Sequence, residues 1–358
     1  MTRRNPWLLL ALAAVLLLLA GCGGDDEDAA DTGAPTVTET TGATTGAGEG
    51  EELRVGLVTD VGGLDDRSFN FLANRGLERA QDELGVQGRV VISRAERDYV
   101  PNLAALARQD YDLIVAVGFL MAEAVGTVAK QFPDASFAIV DFDAEALAGK
   151  PSNVRGLLFK EQEAGYLAGF MAGLYVAEQG GEQVISSVGG QKIPPVDRYI
   201  AGYQAGAKAA NPDVQTLNGY SQDFVDQAKC KEIALNHISR GAVVVFQVAG
   251  QCGLGALSAA AERNARGIGV DADQGYLGRH VLTSALKKVD VAVFETVKAV
   301  QEGSFSGGEN TVFDVASGGV GLGETADDVA ADIVSRVNEV QDDIAAGEIA
   351  DIPETVAG

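Results

Sequence analysis

The chain has 358 residues, of which 46% are hydrophobic and 22% are charged, and this length and balance are typical of two or three globular domains. Its 51 acidic residues outnumber 27 basic ones, and the formal net charge of −24 argues against a nucleic-acid partner because phosphate binding needs a basic face. Two histidines and three cysteines leave no room for a Cys/His zinc cluster at the required spacing, whereas a metal site built from oxygen ligands stays open.

The N-terminus has the pattern of an export signal. Arg3 and Arg4 precede an apolar run from Trp7 to Ala20, which is too short to span a bilayer comfortably. The run closes with Leu-Ala-Gly-Cys22 and resembles the bacterial lipobox, in which the cysteine is lipidated and becomes the new N-terminus. We therefore expect residues 1–22 to be a lipoprotein signal peptide whose Cys22 carries a palmitate-type lipid. An ordinary signal peptide with an incidental cysteine is the alternative.

Residues 23–52 have a different composition. They are rich in Gly, Ala and Thr and contain nine acidic residues and no basic one. Because such a segment buries too little apolar surface to offset the entropy of ordering, we expect a disordered acidic tether. A flexible chain of this length reaches an r.m.s. distance of roughly 30 Å, enough to hold a domain off a membrane surface.

From residue 53 onward, short apolar runs alternate with amphipathic stretches. The first series predicts strands at 53–58, 90–92, 113–117 and 137–140, with helices at 68–85, 101–109 and 121–131. The second predicts strands at 184–188, 214–217, 243–246 and 267–270, with helices at 161–178, 196–210, 226–240 and 253–264. The strand runs are continuously apolar, as in strands covered on both faces, which indicates parallel sheets with helices on either side.

Two such series predict an α/β fold with two doubly wound lobes. We expect lobe 1 to comprise residues 53–158 plus about 285–310, because a further helix at 286–302 returns to it. Lobe 2 then comprises 159–284 plus about 311–358. Ligands of open α/β sheets bind outside the carboxyl ends of the strands, so two facing lobes predict a cleft for a small molecule.

The loops that follow the predicted strands concentrate aspartates, aromatic residues and glycines. After the first strand, Asp66 or Ser68 can cap the next helix, and Phe69 at its start is equally well explained as a core residue. Carboxylates accept hydrogen bonds from hydroxyl groups and aromatic rings stack on flat rings, so these loops suit a sugar attached to a base. The strand-end residues concerned are Asp60, Phe119, Met121, Asp141, Phe224, Gly250 and Asp271.

No catalytic motif accompanies these loops. The glycine turn at 250–255 lacks the Lys-Ser/Thr of a phosphate-binding loop, and there is neither a G-x-S-x-G elbow nor an H-E-x-x-H pair. His237 and His280 fit structural or solvent-facing roles. We therefore expect a binding protein without catalytic residues, cofactor or metal, since a hydrolase or nucleosidase would need a positioned base and nucleophile.

Five segments carry a family resemblance: VTDVGGLDDRSFN (58–70), VGFLM (117–121), VGGQKIPPVDRYIAGYQAGA (188–207), VAGQCGLG (248–255) and GVDADQ…VLTSALK (269–287). They resemble the basic membrane protein family, which consists of substrate-binding lipoproteins of ABC importers related to purine nucleoside receptors. The resemblance runs from about Leu53 to the C-terminus and implies a type I periplasmic-binding-protein fold. It also implies a monomer, lipid-anchored at the extracytoplasmic face of the cell membrane, that works with ABC permease and ATPase subunits.

What the resemblance implies for the ligand is a nucleoside held between the lobes. The family's binding loop falls on Asp60, Phe69 and Asn70, its second stacking ring on Phe224, and its ribose-binding acid on Asp141. Asp271 and Lys287 complete the ribose end, with Lys288 as a register alternative, and Phe119, Met121 and Gly250 are the remaining expected contacts. Phe71 stands where the family commonly has glutamine. A sugar or other small polar ligand, or a sensory receptor without transport, is the alternative reading.

Cys230 and Cys252 are predicted to form a disulfide. Cys230 lies near the start of the helix at 226–240, and Cys252 lies just past the strand that this helix precedes. Both positions therefore fall at the carboxyl edge of the sheet, within bridging distance. An exported chain meets oxidising conditions, which favour the bridge, while two buried free thiols are the alternative.

Overall fold

The computed structural model describes residues 52–356. The expected signal peptide, Cys22 and all but the last residue of the expected tether lie outside the described residues. Over the described range, no helix combines the length and the apolar character needed to cross a membrane.

Twelve strands and nine α-helices make up the described part of the chain. The strands are β1 (Arg54–Val58), β2 (Gln87–Val91), β3 (Leu113–Ala116), β4 (Ser136–Val140), β5 (Val154–Phe159), β6 (Val184–Gly189), β7 (Gln215–Tyr220), β8 (Ala242–Val248), β9 (Arg266–Asp271), β10 (Val281–Lys287), β11 (Asn310–Phe313) and β12 (Val320–Leu322). The helices are α1 (Phe69–Leu84), α2 (Tyr99–Ala107), α3 (Ala122–Gln131), α4 (Glu161–Gln179), α5 (Pro194–Ala210), α6 (Gln227–Ser239), α7 (Gly250–Glu262), α8 (Val289–Gln301) and α9 (Ala331–Ala346).

The strands form two six-stranded sheets, one in each lobe. Their orders are β11-β5-β4-β3-β1-β2 in lobe 1 and β12-β10-β9-β8-β6-β7 in lobe 2. Neighbouring strands are parallel in both sheets, except that β12 pairs with β10 in the antiparallel direction. This arrangement confirms the type I periplasmic-binding-protein architecture expected from the sequence.

The chain passes between the sheets at three places: from β5 to α4, from β10 to α8, and from β11 to β12. Helix α8 returns to lobe 1 and packs on α1, and α4 packs on α5 in lobe 2. The chain stays in the first sheet through β11, which ends at Phe313, a few residues beyond the lobe 1 boundary expected near 310. One hydrophobic cluster runs through both lobes, from Leu113 in β3 through Leu167 in α4 to Phe246 in β8.

Several elements go beyond those expected from the sequence. Strands β5, β10, β11 and β12 and helix α9 have no counterpart in the predicted series. Strands β11 and β12 are short, lie at sheet edges and carry one buried residue between them, so they lack the continuous apolar run of a central strand. Strand β2 begins at Gln87, before the expected residue 90. Its first residues alternate between exposed and half-buried, so they too lack the apolar run that predicts a strand.

Candidate functional site

A cavity between the lobes lies at the carboxyl ends of both sheets. Among the residues that line it are nine of the ten ligand contacts expected from the sequence: Asp60, Phe69, Asn70, Phe119, Asp141, Phe224, Gly250, Asp271 and Lys287. The structure thus brings together strand-end residues that are up to 227 positions apart in the sequence, from Asp60 to Lys287. Their convergence follows from the parallel sheets, whose strand ends all meet at the cleft.

Met121 is the expected contact that the structure places elsewhere. Its side chain is fully buried in the hydrophobic cluster of α2, α3 and β4 and does not line the cavity. It ends a short 3-10 turn that begins at Phe119, and that turn directs Phe119 to the cavity and Met121 into the core.

A single carboxylate organises the lobe 1 wall of the cavity. Asp66 accepts hydrogen bonds from the backbone N–H groups of Ser68 (3.1 Å), Asn70 (2.7 Å) and Phe71 (3.0 Å), so it caps the start of α1. The Asn70 side chain in turn accepts from the backbone N–H of Asp60 at 2.8 Å. Burial raises the pKa of Asp66 against the lowering effect of these bonds. The loop that carries Phe69 and Asn70 is therefore fixed by polar contacts.

Asp60 is the second buried acid of this wall. It is 7% exposed, and the Tyr99 hydroxyl donates a hydrogen bond to its Oδ1. Burial raises the pKa of Asp60 to about 6, although the bonds from Tyr99 and the Val61 N–H lower it. Gly118 packs behind it with φ 125° and ψ 153°, and a Cβ there would lie 2.6 Å from Asp60 Oδ2. Only glycine fits this backbone conformation and this close approach.

Lys287 is the buried cation of the site. It is 2% exposed, and its Nζ lies 2.6 Å from Asp141 Oδ1 and 2.8 Å from Glu161 Oε1. Burial acts to lower its pKa, but Asp141, Glu161 and Asp271 together raise it above the ordinary value, so the amine stays charged. Lys288, the register alternative, lines a second cavity instead.

Asp141 and Asp271 occupy equivalent places in the two lobes. Asp141 directly follows β4 and Asp271 ends β9, and both have a positive φ, of 70° and 60°. Burial raises the pKa of Asp141 to about 7 and that of Asp271 to about 6, while Lys287 lowers both. Asp271 Oδ2 also accepts a hydrogen bond from the Ser68 hydroxyl at 2.7 Å, which joins lobe 2 to lobe 1. Backbone strain at such positions is typical of functional sites.

The lobe 2 wall is largely apolar. Phe224 lies over Gly190, where a Cβ would be 2.3 Å from its ring, and Val196 and Val248 extend the same surface. The Cys252 N–H donates to the Phe224 carbonyl at 3.0 Å. Cys252 forms a disulfide with Cys230, as expected from the sequence, with a Cα–Cα distance of 5.6 Å. This bridge joins the first turns of α6 and α7 directly behind the Phe224 loop.

Three helix residues whose side chains contact Asp60, Asp271 or Lys287 were not identified from the sequence. Tyr199 lines the cavity from α5 and its hydroxyl lies 3.4 Å from Asp271 Oδ1. Tyr99 and Glu161 bind cavity residues from behind. All three belong to helices, and nothing in a helical pattern shows which buried polar residue reaches a distant strand end. Phe71 lines the second cavity, where Arg75 lies 5.9 Å from its ring centroid.

Two further features concern the metal-binding groups and the histidine of α6. Residues 52–356 contain no group of three or more His, Cys, Asp or Glu side chains arranged to hold a metal ion. His237 is buried in α6 away from the cavity, and burial, with a smaller effect of Arg240, lowers its pKa to about 4.

Comparison with known proteins adds the relationships of the whole domain. Residues 53–354 match the family model Bmp, described as "ABC transporter substrate-binding protein PnrA-like". A nucleoside-binding protein of an ABC transporter from Lactococcus lactis is 32% identical and covers 95% of this chain and 96% of its own length. An uncharacterized lipoprotein of Pyrococcus furiosus is 36% identical over 76% of this chain and 70% of that protein. A crystal structure of an ABC transporter solute-binding protein from Aeropyrum pernix superimposes with a TM-score of 0.76 at 31% identity, covering 84% and 93% of the two chains.

Proposed function

This chain belongs to the Bmp family of PnrA-like ABC transporter substrate-binding proteins, and we propose that its interlobe cleft binds a nucleoside. As a solute-binding protein it is not an enzyme. Such a protein works with permease and ATPase subunits, to which it delivers its ligand. The nucleoside assignment is our proposal, and it is supported by the chemistry of the cleft.

The observation that carries the proposal is that two aromatic rings and a charged group of side chains line the same cavity. Phe69 and Phe224 line it from opposite lobes, and Asp141, Asp271 and Lys287 line it beside them, with Lys287 Nζ 5.1 Å from the Phe69 ring centroid. A nucleobase is flat and stacks on aromatic rings, and ribose hydroxyls donate well to carboxylates. A free sugar can pack its C–H faces on aromatic rings, but a nucleobase presents two flat π faces, which match two rings from different lobes more closely. We therefore assign the base to the rings and the ribose to the acids.

Lobe closure is part of the binding proposal. Each lobe supplies one ring, so a flat ligand between the rings connects the lobes and stabilises their closed arrangement. The hydrogen bond from Ser68 to Asp271 crosses the same boundary. Binding and closure are then one equilibrium, in which the ligand favours the state that presents both rings.

The charge of the cleft favours nucleosides over nucleotides. Asp60, Asp66, Asp141 and Asp271 line the cavity with Lys287 as the basic residue among its lining. A 5′-phosphate brought near these carboxylates meets like charge in a poorly solvated place, which is costly. We expect a nucleoside monophosphate to bind at least tenfold more weakly than its nucleoside.

Isothermal titration calorimetry tests the assignment. We expect the wild-type domain to bind purine nucleosides more tightly than the free base, ribose or a monophosphate. Phe224→Ala should weaken nucleoside binding tenfold to a hundredfold, since one stacked ring contributes roughly 1–3 kcal/mol. Phe71→Ala is the matched control, because Phe71 lies on the second cavity and its loss should leave binding unchanged. Ribose bound as tightly as any nucleoside would instead identify a sugar receptor.

We also propose that the lipid on Cys22 holds the domain at the extracytoplasmic face of the cell membrane. The lipobox pattern and the relatives named as lipoproteins support this anchor. Cys22→Ala should move the protein from the membrane fraction to the soluble fraction or the medium. Membrane association that persists in this variant and still needs detergent for release would disprove the anchor.

A further inference from the structure

Two buried glutamates in the first turn of α4 bind two different segments at which the chain passes from one lobe to the other. Glu161 is fully buried and accepts a hydrogen bond from Lys287 Nζ, at the end of β10, at 2.8 Å. Glu163 is 8% exposed and accepts from the backbone N–H of Val315, between β11 and β12, also at 2.8 Å. The two residues are alike in type and burial, but only Glu161 contacts a residue of the ligand cavity.

Glu161 stands behind Lys287 as seen from the cavity. Lys287 lines the cavity and Glu161 does not, so any effect of Glu161 on a ligand passes through the ammonium group. Its second oxygen, Oε2, accepts from Arg198 Nη1 at 3.4 Å. Arg198 in turn contacts Glu354 of the C-terminal segment, with Nε 3.2 Å from Oε2. A chain of alternating charges thus fixes Glu161 from the side opposite the cleft.

We infer that Glu161 is a positioning residue, which holds the Lys287 ammonium so that Asp141 remains able to accept ribose hydroxyls. This inference rests on the function proposed above. A lysine side chain is long and flexible, and its charge is drawn to whichever carboxylate is nearest. The ammonium already contacts Asp141 Oδ1 at 2.6 Å, and without Glu161 on its other side it would be free to move onto Oδ2 as well, the oxygen that the ribose needs. A second carboxylate behind it shares the charge and keeps Nζ at a defined distance from Asp141.

The charges around Asp141 make the pKa of that residue sensitive to this arrangement. Asp141 is faced by Lys287 from β10, Glu161 from α4 and Asp271 from β9, and the neutral phenol of Tyr199 on α5 lies next to Asp271. Burial raises the pKa of Asp141 to about 7, Lys287 lowers it, and the charge of Glu161 raises it further. Removing that charge leaves Lys287 more closely engaged with Asp141, so the pKa of Asp141 falls.

The test compares Glu161→Gln with Glu163→Gln, which removes the same charge two residues further along the same helical turn. We expect Glu161→Gln to weaken nucleoside binding about tenfold, the scale of one charge-assisted hydrogen bond, and Glu163→Gln to change it less than about twofold. In a Lys287→Met background, Glu161→Gln should add nothing, because the two residues act as a unit. Equal losses from the two glutamine variants would overturn the inference, since they would indicate a general effect on the hinge.

A titration without ligand completes the test. Carboxyl 13C NMR of the ligand-free domain should show a lower Asp141 midpoint in Glu161→Gln and an unchanged midpoint in Glu163→Gln. An unchanged midpoint in Glu161→Gln overturns the inference whether or not a ligand binds. If wild type binds no nucleoside, the function proposed above fails, and the midpoint still decides whether Glu161 controls Lys287.

Glu161→Asp guards against a folding failure of the glutamine variant. It keeps a carboxylate at the buried position but withdraws it from Lys287 by one methylene. A loss of affinity greater than threefold supports the inference, and wild-type affinity contradicts it.

Discussion

The two lobes form the same cleft with walls of different construction. In lobe 1, the Asp66 carboxylate binds three backbone N–H groups, and Asp60 is held by Tyr99 and by the Asn70 side chain. In lobe 2, the Phe224 loop is fixed by a hydrogen bond from Cys252 and by the disulfide behind it, and Asp223 accepts from the backbone N–H groups of Val225 (2.8 Å) and Asp226 (3.0 Å). A carboxylate thus binds the loop backbone in both walls, but the lobe 2 wall adds a covalent link and presents a mainly apolar surface to the cavity.

This difference shows how one fold divides a recognition task. One strand in each sheet leads to an aspartate with positive φ: Asp141 follows β4 in lobe 1, and Asp271 ends β9 in lobe 2. The topology therefore supplies a carboxylate to the cleft from each lobe. The remaining contacts depend on the loops, whose cavity-facing side chains include Asp60, Asp66 and Asn70 in lobe 1 and are mostly apolar in lobe 2. Under the proposed function, each wall supplies one stacking ring, Phe69 or Phe224, and the lobe 1 wall adds polar groups beside the base. The function resides in the loops rather than in the fold.

The largest expected effect concerns the covalent link of the lobe 2 wall. Replacing Cys230 and Cys252 with alanine should lower the free energy of unfolding by roughly 3 kcal/mol, because the bridge closes a loop with a sequence separation of 22 in the unfolded chain. Urea unfolding followed by circular dichroism measures this. Thiol counting of the wild-type soluble domain in denaturant without reductant is the control. Two reactive thiols there would contradict the bridge.

The corresponding change in the lobe 1 wall is Asp66→Asn. We expect it to cost about 2 kcal/mol of unfolding free energy, because a neutral amide oxygen replaces the charged acceptor of three backbone N–H groups. Asp65→Asn is the matched control, since Asp65 is the exposed neighbour in the same turn. Equal stability of the two variants in urea would show that the carboxylate does not hold this wall.

Substitutions at two glycines, one in each wall, should affect different measured quantities, stability for one and nucleoside affinity for the other. Gly118→Ala forces a side chain into a backbone region reserved for glycine, and we expect a loss of about 1–2 kcal/mol in stability together with displacement of Asp60. Gly190→Ala has no such strain, but its Cβ meets the Phe224 ring, so nucleoside affinity should fall about tenfold with little change in stability. Calorimetry and thermal unfolding of both variants measure the pair. A reversed pattern would contradict the division between the walls.

The smallest expected effect is common to both lobes. The pKa values of Asp60 and Asp271 are raised from 3.8 to about 6 in the folded protein, chiefly by burial, so between these values the folded state binds more protons than the unfolded state. Stability therefore falls as pH rises above about 4 and levels off only above the folded-state pKa values, so each residue should still contribute about 1 kcal/mol between pH 5.5 and 7.5. Thermal unfolding should give a higher Tm at pH 5.5 than at pH 7.5. Asp60→Asn and Asp271→Asn should each flatten the profile, and unaltered slopes would argue against the raised values.

Much of the fold and of the candidate site follows from local pattern. Continuously apolar runs such as 113–117 and 243–246 indicate buried parallel strands, and parallel strands place the residues after them at one edge. Asp141, Phe224 and Asp271 could therefore be placed at a common cleft before any contact was known. Edge strands β11 and β12 were missed because their few residues bury too little for a recognisable pattern.

The sequence by itself determined the two α/β series and the cleft at their strand ends, because these depend on periodicity within short segments, and its resemblance to a known family added Asn70 and Lys287 to the residues that line the cleft. Only the tertiary structure decided that Lys287 rather than Lys288 enters the site, that Met121 turns into the core, and that Glu161 binds Lys287 across 126 positions. These outcomes depend on how helices and strands from distant parts of the chain pack together. A buried charge must find its partner wherever the fold brings one within hydrogen-bond distance, and that distance is not encoded in any local pattern.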